Sequence, residues 1–232
     1  LKDATVMTQD SVTINQCIMK LIFDRSLSLL VKPKDLRGAM ANLKKDNVLF
    51  HQHANDGTLI YNYPLIQYKI IKGNGFIVGL LEGAVDVVSA IVLKKTLNLG
   101  TEEYIVEQQE MSFLAPSIGF LDRRREYKFL TTWLGLNEKN YEKYQRLGSQ
   151  VSRKEMLERI LVGNIISMSK GLGFTVPGPI LANILYLKEV HTKLKGNPML
   201  GFLGTFSVNF EIPDYWGIGK SVSRGFGTVK RL

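Results

Sequence analysis

The chain is 232 residues long and contains a single cysteine, Cys17. That one count excludes an intramolecular disulfide and any cysteine-built zinc site, and it fits the reducing cytosol. Cys17 lies in an apolar run and reads as a core residue. Histidine is also scarce, with only His51, His53 and His191. Long apolar runs are missing too. The longest, Phe76 to Leu93, is broken by Glu82 and Asp86. It therefore reads as a strand plus an amphipathic helix, not a membrane span. No secretory leader pattern is visible, so the expectation is a cytoplasmic protein with no membrane partner. Acidic residues run short in only one half. Residues 1–110 carry 12 basic and 12 acidic side chains, and residues 111–232 carry 18 and 9, so the second half supplies the whole net charge of +9. Such asymmetry points to a polyanion met by the C-terminal half. At 45% hydrophobic and 22% charged the composition is that of a globular protein long enough to bury a sizeable core.

The final segment, Gly217-Ile218-Gly219-Lys220-Ser221-Val222-Ser223-Arg224-Gly225-Phe226-Gly227-Thr228-Val229-Lys230-Arg231-Leu232, holds four glycines, four cations and no acid. Glycine lets backbone N–H groups approach a phosphate closely, and lysine and arginine add charge at the same place. A Walker loop does not fit, because its first glycine would fall on Asp214 and no chain remains to form the helix. A dinucleotide fingerprint fails for want of the following helix and acid. The plain alternative is a glycine-rich turn before a short terminal strand. Read as a polyanion surface, the segment offers Gly217, Gly219, Lys220, Ser221, Ser223, Arg224, Gly225, Gly227, Lys230 and Arg231. The run Arg123-Arg124-Arg125 joins them as phosphate contacts. Tyr215 and Trp216 are the best candidates for base stacking, with Tyr141 and Tyr144 beside other cations.

Periodicity predicts a strand over 11–24, a helix over 33–45 opened by Pro33, and strands at 59–63, 65–72 and 76–81 with Asn74-Gly75 as the last turn. A helix at 83–96 with Val85, Val88 and Val92 on one face and a strand at 103–114 complete a βαββαβ order. The second half partly repeats it. A strand at 119–134 is followed by a short helix at 137–147 and a longer one that Ser152 and Glu155 would cap. A hairpin of 180–194 and 199–210 turns across Gly196-Asn197. The glycine segment then stands where the second helix should be. The expectation is an α+β protein of two tandem ferredoxin-like domains, residues 1–114 and 115–232, with a C-terminal glycine-rich loop.

Candidate chemistry concentrates in Phe50-His51-Gln52-His53-Ala54-Asn55-Asp56-Gly57. If extended, this segment puts His51 and His53 on one side. Tyr61 follows, and Lys44 and Lys45 precede. Imidazole titrates near neutrality and suits proton transfer, phenols can assist, and lysine can hold developing phosphate charge. Asp56 alone does not complete a metal shell, so neither a metal nor another cofactor is expected. His191, on a strand of the basic half, reads as structural or as a nucleic-acid contact.

Taken together the chain resembles CRISPR-associated endoribonucleases of the repeat-associated mysterious protein (RAMP) superfamily, which process precursor CRISPR RNA. The resemblance rests on the glycine loop from Gly217 to Gly227, on Leu36-Arg37-Gly38-Ala39-Met40, on Phe50-His51-Gln52-His53, and on Tyr63-Pro64-Leu65-Ile66-Gln67-Tyr68-Lys69. It implies cleavage of CRISPR repeat RNA by 2′-OH attack without metal, leaving a 5′-hydroxyl and a 2′,3′-cyclic phosphate. It also implies catalysis by His51 or His53 with Tyr61 and Lys44 or Lys45 assisting, and it admits a homodimer and a CRISPR effector complex as partners. The alternative within the superfamily is a non-catalytic subunit that binds CRISPR RNA in such a complex.

Overall fold

The computed structural model describes residues 10–43, 63–89 and 96–232, which form two five-stranded antiparallel sheets. The chain starts in β1 (Ser11–Thr13) and continues as β2 (Gln16–Phe23) and α1 (Pro33–Leu43). It then forms β3 (Ile66–Ile71), β4 (Asn74–Leu80), α2 (Glu82–Ser89), β5 (Thr96–Leu99) and β6 (Glu102–Leu114). The first sheet has the order β3-β4-β2-β6-β5. Without the extra edge strand β5, this is the ferredoxin-like βαββαβ arrangement.

The second sheet is built from β7 (Ser117–Phe129), β8 (Ala182–Leu194), β9 (Asn197–Glu211) and β10 (Val229–Arg231), with helices α3 (Glu138–Arg146) and α4 (Gln150–Gly171) after β7. Its order is β1-β7-β9-β8, with β10 also on β7. A 3-10 turn, Val222–Arg224, stands where a second crossover helix would be. The tandem ferredoxin-like expectation holds, and the glycine segment occupies the position of the missing helix.

The strand expected over 11–24 is two strands. Ser11–Thr13 pairs with β7 in the second sheet, and Gln16–Phe23 lies at the centre of the first. Both hairpin turns fall earlier than expected. Ile71 faces Asn74 across Lys72-Gly73, and Leu194 faces Asn197 across Lys195-Gly196. Lys72 and Lys195 adopt φ of 50° and 52°, and the glycine after each is also positive, so both are two-residue turns of the primed kind. Sheet register outweighs the local preference of Asn-Gly, because β4 is buried on both faces and a slip would exchange Ile77 of the first core with Val78 and Leu80 of the second.

Helix α1 begins as expected at Pro33. Asp35 Oδ2 accepts the Lys32 N–H at 2.8 Å, and Leu36 and Met40 are fully buried. The stripe expected on α2 holds at Val88, which is half-buried against the first core, and fails at Val85. Val85 is 70% exposed, and Gly83, Ala84 and Val87 face inward. The cause is close approach: a Cβ on Gly79 would lie 2.2 Å from Gly83 O, so the helix backbone sits directly on β4. Val92 lies outside the described residues. Helix α4 is capped by Ser149, whose side chain accepts the Ser152 N–H at 3.1 Å, and not by Ser152. Its buried apolar stripe is Met156, Leu157, Leu161, Ile165 and Met168.

Each sheet buries one face under its helices. Cys17, Met19 and Leu21 of β2 pack with Leu36, Met40 and Val87 in the first core. The other face of the first sheet supplies Val78 and Leu80 to the second core, which holds Trp133, Phe206, Phe210 and Trp216. The two sheets are therefore joined through continuous apolar packing. Among the described residues no helix is long and apolar enough to cross a membrane.

The Ser149 cap gives a clean test. Ser149→Ala is expected to cost about 1 kcal/mol of stability by urea unfolding, and Ser152→Ala only a few tenths. Equal losses would contradict the cap.

Candidate nucleic-acid interface

The glycine segment is held from below by buried bonds. Trp216 is fully buried and donates its indole N–H to Gln16 Oε1 at 2.8 Å. Gly217 is gripped on both sides of its Cα: its N–H goes to Gln67 Oε1 at 3.0 Å, and its carbonyl accepts the Tyr63 hydroxyl at 2.8 Å. Lys69, also fully buried, donates from Nζ to the same Gln67 oxygen at 2.9 Å. Burial pushes the Lys69 ammonium down to about 7, and burial also raises the Tyr63 phenol well above its ordinary value.

From this root the loop folds back on the second sheet. Ile218 N–H reaches Gly227 O, Lys220 N–H reaches Leu134 O, and Gly227 N–H reaches Thr132 O, at 2.9–3.0 Å. Gly225 N–H closes the 3-10 turn on Val222 O. Gly225, at φ +83°, presses the turn against the first sheet. A Cβ there would fall 2.7 Å from Pro33 Cγ and 2.8 Å from Tyr68 O.

Several expected contacts change character in this geometry. The N–H groups of Gly217, Gly225 and Gly227 are spent inside the chain, so these glycines shape the loop and do not offer N–H to a phosphate. Trp216 has no exposed face for a base, because the second core closes around it. Ser223 is buried, with 7% exposed. Tyr144 is a core residue whose hydroxyl donates to Glu189 at 2.7 Å. Tyr215 is half-buried, stacked on Phe76 at 5.4 Å with Lys230 Nζ 5.9 Å from its ring centre. Tyr141 stays 43% exposed, Gly219 and Ser221 are half-buried, and His191 is exposed on β8.

The cations fall into two groups. Lys220 is exposed on the glycine loop, and Arg224 is half-buried in the turn that meets α1. Arg231 and Tyr215 instead line a cleft of about 640 Å³ between the sheets, with Lys20, Glu110, Glu211 and Asp214. In that cleft Lys20 pairs with Glu110 at 3.0 Å, and Glu211 meets Arg125 from outside the lining, with Arg125 Nε 2.8 Å away, in ion-pair range without an aligned N–H. Arg123 and Arg124 are exposed where β7 bulges. Phe120 pairs with Phe210 and Arg125 with Val208, so five steps along β7 match two along β9. The bulge explains how an arginine run fits into a strand. The catalytic candidates Lys44, Lys45, His51, His53 and Tyr61 lie outside the described residues. Their segment leaves the described chain at the end of α1 and re-enters it at Tyr63, which is bonded to Gly217.

Sequence reasoning missed Gln16, Gln67 and Lys69 as supports of the loop. Gln67 and Lys69 alternate with Ile66, Tyr68 and Ile70 along β3, a pattern that reads as a solvated face, but here the second sheet covers it.

The comparisons with known proteins agree with this architecture. Residues 14–114 match the Cas6b N-terminal domain, and residues 119–232 match the Cas6b C-terminal domain. A solved Cas6b is 33% identical with a TM-score of 0.86, covering 95% of this chain and all of its own. A CRISPR RNA processing endoribonuclease Cas6b is 34% identical with a TM-score of 0.74, covering 94% of this chain and all of its own. An uncharacterised protein of Methanocaldococcus jannaschii is 45% identical over 138 residues, which is 60% of this chain and 93% of that protein. Two ferredoxin-like sheets with a glycine loop in place of the last helix define the class, and the chain belongs to the Cas6b family.

Lys69 makes a pH-dependent prediction. Its folded value is about 7 against 10.5 for a free lysine. Between those values the unfolded chain binds more protons, so stability should rise with pH across that window. Lys69→Met should therefore raise the urea midpoint at pH 6, and the gain should shrink by pH 10. A variant less stable at both pH values would mean that the ammonium–Gln67 contact outweighs desolvation.

Proposed function

We propose that this protein is an endoribonuclease that cleaves CRISPR repeat RNA to release mature CRISPR RNA. The observation that carries this reading is membership of Cas6b across both halves of the chain, including a relative described as a CRISPR RNA processing endoribonuclease. The basic excess of residues 111–232 supports an RNA partner.

The proposed chemistry is attack by the 2′-OH on the neighbouring phosphorus without a metal ion. One imidazole of His51 and His53 takes the hydroxyl proton or protonates the leaving 5′-oxygen. Tyr61 assists the proton transfers, and Lys44 or Lys45 offsets charge on the phosphorane. Products are a 5′-hydroxyl and a 2′,3′-cyclic phosphate. Lys220 and Arg224 grip the RNA backbone, and the glycines hold these side chains in place. The single cysteine fits a cytosolic site of action.

The His51→Ala/His53→Ala double variant should lose cleavage by at least about 100-fold, in keeping with general acid–base catalysis. Its affinity for the repeat should stay within about twofold, because phosphate contacts dominate binding. Collapsed affinity with residual cleavage would make the histidines RNA contacts. Tight binding by the wild-type chain with no cleavage of its cognate repeat would instead favour the non-catalytic subunit.

A further inference from the structure

Gln67 joins the two halves of the chain through a single atom. Its Oε1 accepts from Lys69 Nζ at 2.9 Å and from the Gly217 N–H at 3.0 Å, and the side chains of Gln67 and Lys69 are fully buried. Its Nε2 turns the other way, to the Pro64 carbonyl at 3.3 Å. A carboxamide can reverse with almost no change of shape, so its partners set its orientation. A reversed Gln67 would aim Nε2 at the Gly217 N–H and at an ammonium that carries donors only. The ammonium opposes reversal the more strongly, because hydrogen bonds of ionised groups are roughly twice as strong as neutral ones.

The groups around Lys69 leave its charge to Gln67. Lys69 faces Phe76 of β4, and beyond Phe76 in the same row lies Lys20, already paired with Glu110 at 3.0 Å. The Tyr215 ring stacks on Phe76 and has Lys230 near it. Arg37 of α1 bears on Tyr68, which points to the other face of β3, and Arg224 of the 3-10 turn bears on Arg37. Tyr63 shares the network through a hydrogen bond with Gln67, and burial keeps its phenol neutral. Among the described residues no carboxylate lies within ion-pair distance of Lys69.

We propose that Lys69 is a positioning residue of the glycine loop: its ammonium fixes the Gln67 carboxamide with the oxygen toward Gly217, and loss of that proton lets the carboxamide reverse and loosens the loop at its root. The consequence for RNA rests on the endoribonuclease reading above, and the lock itself does not. A neutral amine offers a lone pair to which a reversed Gln67 can donate. The buried Gly217 N–H is then left without its acceptor, a loss comparable to a broken hydrogen bond. Burial alone acts on the ammonium and brings it to about 7, so the lock is present below that pH and fades as pH rises through it. Overall stability moves the opposite way, because the same buried charge costs desolvation. Lys69 therefore lowers stability while it orders the frame that carries Lys220 and Arg224.

The test follows the Gly217 amide of the full chain by 15N NMR from pH 5.5 to pH 9. In wild type its shift should follow one titration near pH 7. Its protection from hydrogen exchange, corrected for the intrinsic rate, should fall over the same range. Lys69→Met should lack that step, and at pH 6 its Gly217 protection should be about tenfold below wild type although its urea midpoint is higher. Gln67→Glu is the second variant. A carboxylate presents an oxygen in either orientation, so Gly217 protection should stay level between pH 6 and pH 8. Repeat RNA with a 2′-deoxy at the cut site reads the consequence without cleavage. Lys69→Met should bind it about fivefold more weakly than wild type at pH 6 and equally at pH 8.5. A Gly217 amide that does not titrate in wild type, or that titrates alike in Lys69→Met, would overturn the inference. So would wild-type protection of Gly217 in Lys69→Met at pH 6. The expected titration in a wild-type chain that binds no repeat RNA at either pH would uphold the lock and overturn the endoribonuclease reading instead.

Discussion

The grip on Gly217 organises the molecule. The two peptide groups that flank the Gly217 Cα are held by Gln67 and Tyr63 from the first half of the chain, and the neighbouring Trp216 is tied to Gln16. These are buried bonds, so losing any partner would strand a polar group away from water. The loop consequently has a fixed root between the two sheets. Everything beyond it, from Lys220 through the 3-10 turn, inherits that position. The apolar packing of Val78 and Leu80 with the second core keeps the two sheets in register with this root.

A fixed root gives a loop rich in glycine a defined shape. The backbone N–H groups of Gly217, Gly225 and Gly227 are consumed in holding the loop's shape. Lys220 and Arg224 are the cations this frame carries, one exposed and one half-buried. The same frame lays the turn on α1, the helix that leads into the histidine segment. The second cation group lies in a cleft lined by acids as well as bases. Net charge by itself would not have separated these two surfaces.

The α+β class, the tandem βαββαβ order and the loss of the last helix were legible from alternation, helical spacing and the position of glycine. Cys17 was readable as core because it sits in an apolar strand. What failed depended on tertiary contact. The split after Thr13 arises because β1 joins a sheet formed a hundred residues later. The phase of α2 is set by Gly79 meeting Gly83, which no periodicity of valines reveals. Trp216 and Tyr144 look like stacking residues only while their neighbours are unknown. Gln67 and Lys69 show the same limit in reverse: polar alternation signals water, and a second domain had taken its place. The histidine segment remains a reading of the sequence and of the family.

The most direct test of the central claim is a cleavage assay on the cognate repeat RNA in excess EDTA, with analysis of the product ends. The account predicts a 5′-hydroxyl and a 2′,3′-cyclic phosphate, and no product when the cut-site nucleotide lacks its 2′-OH. Cleavage that stops on chelation, or that survives the 2′-deoxy substitution, would contradict it.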